Sequence, residues 1–364
     1  MQLFRLNPIT RKKVQRFRSI KRGYWSFCLL IGAFVISLFA ELLVNNRALV
    51  VKYDGSYHFP TYTGFKSGKS FGVETNRDGQ AYDFEVDYRD LKAHFLAEAG
   101  SGNWVWMPLV PFDPVENDFQ KGVDNPAPPD FQRGHYLGTD KTGRDVLARM
   151  LYGFRIAMVF ALIFMLMVYG IGVVVGCVMG YFGGKVDLLG QRLVEIWSNI
   201  PFLYMVIILV SILPAGLPTW VRVGGLLLIM VAFSWTGMTY YMRTAVYREK
   251  ARDYVAAAQL LGAGTPRIIF NHLLPNTIST LVTFMPFTMA MAIASLTALD
   301  FLGFGLPPPT PSWGEMLAQG TENLHAHWIV SSAFVAMVLV LTLVTFIGEG
   351  VRESFDPKKY TVYK

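Results

Sequence analysis

Apolar side chains are concentrated in six long runs of the chain, and the residues between the runs are mainly polar. A helix that crosses the roughly 30 Å hydrocarbon core of a bilayer needs about 20 apolar residues. The runs have about that length, so the pattern predicts six membrane-spanning helices. These predicted spans are Tyr24–Leu43, Ile156–Phe182, Trp197–Leu213, Val223–Met242, Leu281–Leu299 and Trp328–Ile347. The third is the shortest and contains Pro201 near its start.

The segment between the first two spans has about 110 residues, too many for a connection without structure of its own. Asp54-Gly55 and Asp78-Gly79 are typical of tight turns. Residues 82–88 alternate apolar and acidic side chains, which predicts a half-buried strand. Asp90 to Ala99 is predicted to form a short helix. The segment is therefore predicted to fold as a small α+β subdomain.

Two further features of this segment bear on its surface. Trp104, Trp106 and Met107 suit an interface with a membrane or a partner, but packing inside the subdomain is the favoured interpretation. The proline-rich stretch 125–129 predicts an extended spacer.

Composition agrees with a membrane protein, because 52% of the residues are hydrophobic and 16% are charged, whereas soluble domains carry about 25% charge. The net charge is +7, yet the first 23 residues alone hold eight basic and no acidic side chains. A basic segment before a first span predicts a cytoplasmic N-terminus and an uncleaved anchor. The charge excess therefore indicates topology rather than nucleic-acid binding.

Charges in two later loops agree with this orientation. Residues 48–134 hold 8 basic and 13 acidic side chains, which suits an external location, whereas residues 243–279 hold 5 basic and 2 acidic ones. Six crossings return the C-terminus to the cytoplasm. The predicted organisation is a basic cytoplasmic N-terminus (1–23), a first spanning helix (24–43), an external subdomain (44–134), a core with spans two to six (135–348) and a cytoplasmic tail (349–364).

The loop Gly138–Asp145 superficially resembles a phosphate-binding loop, but the pattern fails at two essential positions. Arg144 and Asp145 stand where the phosphate-binding lysine and the magnesium-binding hydroxyl would be. The loop is also predicted to lie on the external side. We therefore expect no nucleotide site and no enzymatic activity in this chain.

Cysteine and histidine give no sign of a metal site or a catalytic site. Cys28 and Cys177 both lie in apolar runs and are interpreted as small buried hydrophobic residues. His325 and His327 alternate in a loop, but zinc usually takes three or four protein ligands. No cofactor or metal is expected on this chain.

Within the predicted spans, charged side chains are scarce, and Glu41 near the end of the first is the clearest case. Ion-driven carriers usually hold carboxylates or histidines within the membrane, so this scarcity indicates that energy comes from elsewhere. Gly172, Gly176 and Gly180 are spaced by four residues, which predicts close helix packing.

The loop after the fourth span contains a predicted short helix, Tyr254–Leu261, that Gly262 ends. Pro266 follows, and a second apolar helical run extends to Pro275. The small side chains Ala256, Ala257 and Ala258 could fit a groove on a soluble partner. A surface helix that binds nothing explains the pattern equally well, and the residues alone do not decide between the two.

Five sequence blocks carry a resemblance to the permease subunits of ABC importers of the oligopeptide/dipeptide type. Together they cover most of residues 135–357. The blocks are Leu137–Arg155, Val173–Asp187, Asp253–Pro275, Phe301–Gly314 and Gly350–Pro357.

The resemblance implies an all-α membrane protein of the type I ABC importer permease fold, with six transmembrane helices and a small α+β periplasmic insertion. It implies the bacterial inner membrane, a second homologous permease subunit, two ATPase subunits that bind ATP and magnesium, and a periplasmic solute-binding protein. The ATPase-coupling loop, called EAA in this family, is assigned to Tyr254, Ala256, Ala257, Ala258, Gly262 and Pro275. The periplasmic signature is assigned to Gly138, Thr139, Asp140, Gly143, Arg144, Asp145, Pro308, Pro311, Trp313 and Gly314.

The chain departs from this family in two places. Ala256-Ala257-Ala258 stands where the family usually has Glu-Ala-Ala, and about 60 extra residues lie around Tyr53–Leu109. The longer loop is similar to that of Yej-type peptide importers, known for microcin C uptake. Import of peptides is therefore the expected function. Import of dipeptides, glutathione or nickel within the same family remains the near alternative, and a stand-alone ion-coupled carrier or channel the distant one.

Overall fold

The structure is a computed structural model that describes residues 8–64, 66–73, 85–98, 102–119, 123–214 and 216–355. The chain forms two compact units. The first, here called the helical unit, consists of the described parts of Met1–Gly32, Ala157–Pro307 and Met337–Lys364. The second, here called the mixed unit, consists of the described parts of Ala33–Ile156 and Pro308–Ala336.

Helices dominate the chain. In order they are α1 (Pro8–Ser19), α2 (Lys21–Leu38), α3 (Ala40–Leu43), α4 (Pro60–Thr63), α5 (Tyr88–Ala97), α6 (Val146–Phe182), α7 (Gly184–Ser198), α8 (Phe202–Ser211), α9 (Thr219–Lys250), α10 (Asp253–Leu260), α11 (Thr265–Arg267), α12 (Leu274–Phe301), α13 (Trp313–Glu322) and α14 (His327–Phe355). A 3₁₀ turn covers Gly68–Phe71, and a π-helical turn, Ile268–Leu273, joins α11 to α12.

Among the described residues, four helices are long and apolar enough to cross a membrane. They are α6, α9, α14 and the continuous helix Thr265–Phe301 that contains α11 and α12. Two bent pairs, α1 with α2 and α7 with α8, raise the number of candidate spans to six if each pair counts as one. The observed helices extend beyond the predicted spans, because amphipathic turns at their ends continue the helix after the apolar run stops.

The predicted third span, Trp197–Leu213, is wrong as a continuous helix. The chain bends by 71° between α7 and α8, and α8 alone has only 10 residues. Pro201 precedes α8, and the steric restriction that a proline places on the residue before it disfavours helix there.

Helices α6 and α9 pack closely at the three glycines with fourfold spacing, as predicted. A Cβ atom on Gly172 would lie 2.7 Å from Met238 Cβ, and one on Gly176 would lie 2.7 Å from the carbonyl oxygen of Thr239. On the same helix, a Cβ on Gly170 would meet nothing within 4 Å. The backbone approach therefore depends on particular glycines rather than on glycine content.

Substitution of Gly176 by alanine is expected to destabilise the protein, because the added methyl group meets the backbone of α9. Gly170→Ala is the matched control and is expected to be neutral or stabilising, by up to about 1 kcal/mol, since alanine is the better helix former. Thermal unfolding of both variants in detergent measures the difference. Equal melting temperatures would contradict the close packing.

The mixed unit contains a three-stranded antiparallel sheet of strand order β2-β1-β3. Its strands are β1 (Val50–Tyr53), β2 (Ser56–His58) and β3 (Trp104–Trp106). The turn predicted at Asp54-Gly55 is confirmed, because it connects β1 to β2. One face of the sheet is buried by a core that includes Val51, Val105, Phe71, Leu91 and Phe95. The described part of this segment thus contains both helices and strands.

The strand predicted at residues 82–88 is wrong for residues 85–88, the part that the structure describes. Residues 82–84, the turn at Asp78-Gly79 and the predicted helix end at Ala99 lie outside the described residues. Glu85 makes an isolated bridge to Ser67, and helix α5 already begins at Tyr88. Asp87 caps this helix by accepting a hydrogen bond from the backbone N–H of Arg89, 2.8 Å away. The alternation of apolar and acidic residues therefore has two explanations, a strand or an aspartate that caps a helix, and the structure has the second.

Ordered structure extends into both the proline-rich stretch and the first residues of the predicted tail. Residues 125–129 are not a free spacer, because the backbone N–H of Ala127 donates to Thr139 Oγ1 at 2.9 Å. The predicted boundary between residues 348 and 349 lies inside α14, which continues to Phe355.

Candidate functional site

The first candidate site is the loop that precedes α6 in the mixed unit, where Asp140 organises the backbone. Its Oδ1 accepts hydrogen bonds from the backbone N–H groups of Thr142 at 2.9 Å and Arg144 at 3.0 Å. The N–H of Gly143 donates to the carbonyl oxygen of Asp140 at 2.9 Å, which closes the turn. The loop resembles a phosphate-binding loop in sequence but not in structure. The carboxylate of Asp140 already accepts hydrogen bonds from the backbone N–H groups that a phosphate would need.

Around Asp140 lies a buried cluster of charged side chains. Asp140 Oδ2 accepts from Arg144 Nε at 2.7 Å, and Arg144 Nη2 donates to Glu315 Oε1 of α13 at 2.9 Å. Arg149, which is fully buried, also pairs with Glu315 and lies 3.6 Å from Asp140. Gln319 Nε2 donates to Glu315 Oε1 at 2.9 Å. Two arginines and two carboxylates thus form a neutral cluster that attaches the loop to α13.

These positive charges also control the ionisation of Asp140. Burial opposes its charged form, but the Coulombic attraction of Arg144 and Arg149 outweighs burial and holds the pKa of this carboxyl below its usual value. Asp140 therefore stays ionised at neutral pH.

Gly138 and Thr139 connect this loop to Ala127, which precedes it, and to Trp328 in the first turn of α14. Gly138 has a φ of +74°, and a Cβ there would lie 2.6 Å from the carbonyl oxygen of Ala127 and 2.8 Å from Trp328 Nε1. Thr139 donates its backbone N–H to Ala127 at 2.9 Å, and its carbonyl oxygen accepts from Trp328 Nε1 at 3.1 Å. Only glycine fits the position before Thr139.

Asp145 has two separate roles. Its Oδ1 accepts from the N–H of Ala148 at 2.7 Å and caps α6. Its Oδ2 lies 2.8 Å from Nδ1 of His135, whose Nε2 is 3.1 Å from Asp118 Oδ2. The His135 ring stacks on Phe112 with 3.9 Å between centroids. Burial disfavours the protonated ring, but the hydrogen bonds to Asp118 and Asp145 outweigh burial and raise the pKa of His135 to about 9.

The raised pKa of His135 predicts that the mixed unit loses stability at alkaline pH. The stabilisation that protonated His135 gives to the folded state is fully present below 6.5, the pKa of histidine in the unfolded chain. It is lost as pH rises through about 9, the pKa of His135 in the folded protein. The shift corresponds to a stability change on the order of 3 kcal/mol. Thermal unfolding in detergent between about pH 6 and about pH 9.5 tests this. His135→Gln should show a flatter pH profile than the wild type, and parallel profiles would contradict the assignment.

Helix α13 contributes the remaining signature residues. Ser312 caps it by accepting from the N–H of Gly314 at 3.2 Å. Trp313 is buried, donates its Nε1–H to the carbonyl oxygen of Met150 at 3.0 Å and stacks on Phe154. The structure thus brings the two parts of the signature together, because Trp313 bonds to Met150 of α6 and the carbonyl oxygen of Pro311 lies 3.7 Å from the position of a Cβ on Gly153. Pro311 and Gly314 are buried, whereas Pro308 is exposed.

The second candidate site is α10 in the helical unit. The helix ends as predicted at Gly262, which has a φ of +79°. Its N–H donates to Gln259 at 2.9 Å and the N–H of Ala263 donates to Ala258 at 3.0 Å, which is a Schellman motif. A Cβ on Gly262 would meet nothing within 4 Å, so positive φ rather than crowding favours glycine here.

One face of α10 is buried, and the opposite face is exposed and mainly apolar. Val255 and Ala258 are buried, whereas Ala256 and Ala257 are exposed. Leu260 and Leu261 are 90% and 88% exposed. Sequence reasoning missed these two leucines because it concentrated on the alanines, although helical periodicity places residues 256, 257, 260 and 261 opposite the buried positions. Two large leucines are thus exposed beside the small alanines.

The other residues assigned to this loop lie at its two ends. Tyr254 donates its hydroxyl to Glu249 at 3.1 Å, and Arg252 pairs with the same carboxylate at 3.0 Å. Pro275 does not end the second helical run, because it lies in the first turn of α12 and the helix continues.

The helical unit also contains a cavity of about 690 Å³. Aromatic rings and hydroxyl groups line most of it. Tyr169 Oη lies 3.2 Å from Thr288 Oγ1, and Tyr241 stacks on Phe284 with centroids 3.9 Å apart. Within the part of the chain that the structure describes, Arg352 is the charged residue of the lining, and no carboxylate contributes to it. Neither the cavity nor the partners of the buried cluster (Glu315, Gln319, His135 and Asp118) were predicted, since each depends on contacts between distant segments.

Comparison with known proteins places these features in a family. Residues 172–359 match the family model described as binding-protein-dependent transport system inner membrane component. The chain is 40% identical to the inner membrane ABC transporter permease protein YejE of Escherichia coli, over 98% of this chain and 99% of that protein. The chain belongs to this permease family.

Other relatives are also permease proteins of transport systems. The chain is 38% identical to the peptidoglycan transport system permease protein YejE of Agrobacterium fabrum, over 97% of this chain and 94% of that protein. It is 34% identical to the dipeptide transport system permease protein DppC of Haemophilus influenzae, over 69% of this chain and 83% of that protein. Among solved structures, it is similar to the MetNI methionine ABC transporter in an inward-facing conformation, with a TM-score of 0.43 and 18% identity over 57% of this chain and 96% of that one.

Membership in this permease family has direct consequences. The chain is a multi-pass component of the inner membrane and not a catalytic subunit, so ATP is hydrolysed on partner subunits. A binding protein delivers the solute in such systems. The YejE alignments span almost the whole chain, whereas the DppC alignment leaves about a third unmatched. The resemblance to Yej-type permeases expected from the sequence is thus confirmed.

Proposed function

We propose that this permease is one of two homologous membrane subunits of an ATP-driven importer of peptides. The observation that carries the proposal is the similarity to YejE over nearly the full length of both proteins. Names of relatives indicate solutes that contain peptide bonds, dipeptides in one case and peptidoglycan in another. Peptide conjugates such as microcin C belong to the same chemical class. Two ATPase subunits would bind ATP and magnesium, and this chain would carry no cofactor or metal of its own.

The topology that we propose has six spans with both termini in the cytoplasm. The eight basic side chains in residues 1–23 support a cytoplasmic N-terminus. Each bent helix pair, α1 with α2 and α7 with α8, would count as one span. Residues 44–134 would then form a periplasmic insertion, and the loop with α10 would lie in the cytoplasm.

In this topology α10 is the element that receives force from an ATPase subunit. Its exposed leucines, Leu260 and Leu261, offer apolar area beside the small side chains of Ala256 and Ala257. Burial of a leucine side chain contributes roughly 1.5–3 kcal/mol. A leucine-rich docking face explains how the loop can function with alanine at the position where the family usually has glutamate.

At the other side, the buried charged cluster would hold the signature loop and α13 as one rigid surface for the solute-binding protein. Arg144 and Arg149 both reach Glu315, which fixes the loop to the helix. A rigid surface reduces the ordering cost of docking.

The cavity in the helical unit is our proposed part of the substrate path. Its aromatic and hydroxyl lining offers stacking and hydrogen bonds to peptide groups, and Arg352 offers a positive charge to a carboxylate of the peptide. Peptides of varied side chains could therefore pass.

Filling this cavity is expected to reduce uptake without unfolding the protein. Gly237 lines the cavity, and a Cβ there would meet nothing within 4 Å. Gly237→Leu should lower peptide uptake at least about tenfold, because the side chain occupies the space that the substrate needs. Gly224→Leu is the matched control, since Gly224 lies on the same helix with equally free space but outside the cavity lining. Equal uptake by the two variants would remove the cavity from the path.

Copurification tests the proposed assembly. The tagged chain is expected to retain a second permease and ATPase subunits, and the complex should hydrolyse ATP faster when a binding protein loaded with peptide is added. A panel of oligopeptides, dipeptides, glutathione and nickel separates the substrate classes. Stimulation by nickel or glutathione alone would contradict a peptide importer.

A further inference from the structure

The sheet of the mixed unit has one exposed face, and this face is aromatic. Lys52 of β1 pairs with Tyr57 of β2 on one side and with Trp104 of β3 on the other, so the three side chains form a row across the sheet. Trp106 lies two residues further along β3 on the same face. Tyr57 is 59% exposed, Trp104 41% and Trp106 62%. We call these four residues the aromatic face.

The sequence favoured packing for these tryptophans, and that interpretation is wrong for both. The residue between them, Val105, is buried against the core, which directs Trp104 and Trp106 to the opposite side of the sheet. The rings of Tyr57 and Trp104 meet edge to face above Lys52, with centroids 6.3 Å apart. Met107, in contrast, packs against the core as expected.

This face lies close to the end of the first predicted span, within the same unit. Val110 donates its N–H to the carbonyl oxygen of Leu43 at 2.9 Å and accepts from the N–H of Asn45 at 3.1 Å. Trp106 precedes Val110 by four residues, so it lies at most about 14 Å along the chain from that hydrogen bond. Leu109, between them, is exposed, as is Leu43. A short stretch of chain that carries the exposed Leu109 therefore joins the aromatic face to the end of the span.

We propose that the aromatic face rests in the headgroup layer of the membrane, in the leaflet at the C-terminal end of the first span. The polar layer of a bilayer is about 5–7 Å thick on each side of the hydrocarbon core, within reach of Trp106. Tryptophan and tyrosine are enriched there because their rings combine apolar area with a polar group. Lys52 lies between Tyr57 and Trp104 in the row across the sheet, and its long side chain can carry the ammonium group to lipid phosphates.

Contact with lipid gives the insertion a mechanical role. The insertion would be held against the bilayer at its aromatic face while its other parts stay available to the solute-binding protein. A protein partner on this face is the competing outcome, and the experiment separates the two. The inference depends on the proposed crossing of the membrane by residues 24–43, so a position inside that span serves as reference.

The test uses the full complex in nanodiscs of phosphatidylcholine and phosphatidylglycerol. In a background that carries Cys28→Ser and Cys177→Ala, single cysteines are introduced by Trp106→Cys, Leu96→Cys and Leu29→Cys and labelled with an environment-sensitive fluorophore. Leu96 is 74% exposed on α5, on the other side of the sheet, and is the matched control. Leu29 is exposed on α2. Tyr57→Cys gives a second position on the face if the first variant does not assemble.

Quenching by lipids spin-labelled at the headgroup and by aqueous iodide gives the depth of each label. The label at Trp106 should be quenched by headgroup spin labels and be roughly threefold less accessible to iodide than the label at Leu96. If Leu29 is lipid-quenched while Trp106 behaves like Leu96, the aromatic face does not touch lipid. Protection of Trp106 only after addition of the solute-binding protein would assign the face to that protein and overturn the proposal. Failure of Leu29 itself to be quenched would reject the first span and the proposed topology.

Discussion

Replacement of Leu260 and Leu261 together by aspartate is expected to reduce peptide-stimulated ATP hydrolysis and peptide uptake at least about tenfold, because about 1.4 kcal/mol corresponds to each factor of ten. Loss of two buried leucines from a docked interface removes roughly 3–6 kcal/mol, and two charges would have to be desolvated as well. Folding should be unaffected, since both side chains are almost fully exposed in the isolated chain. The measurement is ATP hydrolysis and uptake by the reconstituted complex.

The control for this variant is Leu324→Asp. It places the same kind of charge on another exposed leucine, which lies in the connection between α13 and α14. It should leave coupling unchanged. If the double variant retains wild-type coupling, or if Leu324→Asp is equally harmful, α10 is not the docking element. Copurification of the ATPase subunits with the double variant then separates weak docking from failed force transfer.

Substitution of Arg149 by methionine is expected to destabilise the mixed unit by roughly 3–5 kcal/mol. The change keeps most of the side-chain volume but leaves the buried Asp140 and the partly exposed Glu315 with one arginine instead of two. Arg155→Met is the matched control on the same helix, because its pair with Glu41 is partly exposed and is expected to contribute at most about 1 kcal/mol. Thermal unfolding and limited proteolysis in detergent measure both.

A second substitution distinguishes a lost ion pair from lost packing. Arg149→Met combined with Glu315→Met replaces the pair by apolar side chains of similar volume and should recover a large part of the stability. If the double variant is as unstable as Arg149→Met, the buried charges are not the cause. If Arg149→Met melts like the wild type, the cluster does not hold the loop to α13.

Hydrophobic runs predicted the long helices well, because a bilayer demands continuous apolar sequence and helix satisfies every backbone hydrogen bond. The ends of these helices were predicted less well. Helix α9 continues to Lys250 and α14 to Phe355, since polar residues are good helix formers once they leave the apolar layer. The proline at position 201 indicates a break in the helix, but it does not indicate the size of the bend, which is 71°.

The candidate sites divide in the same way. Local chemistry was predictable at Gly262 and at Asp54-Gly55, where a few adjacent residues decide the backbone. Contacts between distant segments were not. Arg149 and Glu315 are 166 residues apart, and no periodicity in either segment indicates the other. The exposed tryptophans were misassigned because alternation along β3 decides their direction, and a three-residue strand shows too little of that pattern.

The central claim is that this permease moves peptides only together with ATPase partners. Uptake of labelled peptide into proteoliposomes tests it most directly, with the full complex, binding protein and ATP compared with the chain alone under a proton or sodium gradient. We expect uptake only from the full complex, and none when the ATPase subunits carry an inactivating substitution in their ATP site. Peptide uptake by the chain alone, driven by an ion gradient, would contradict the account.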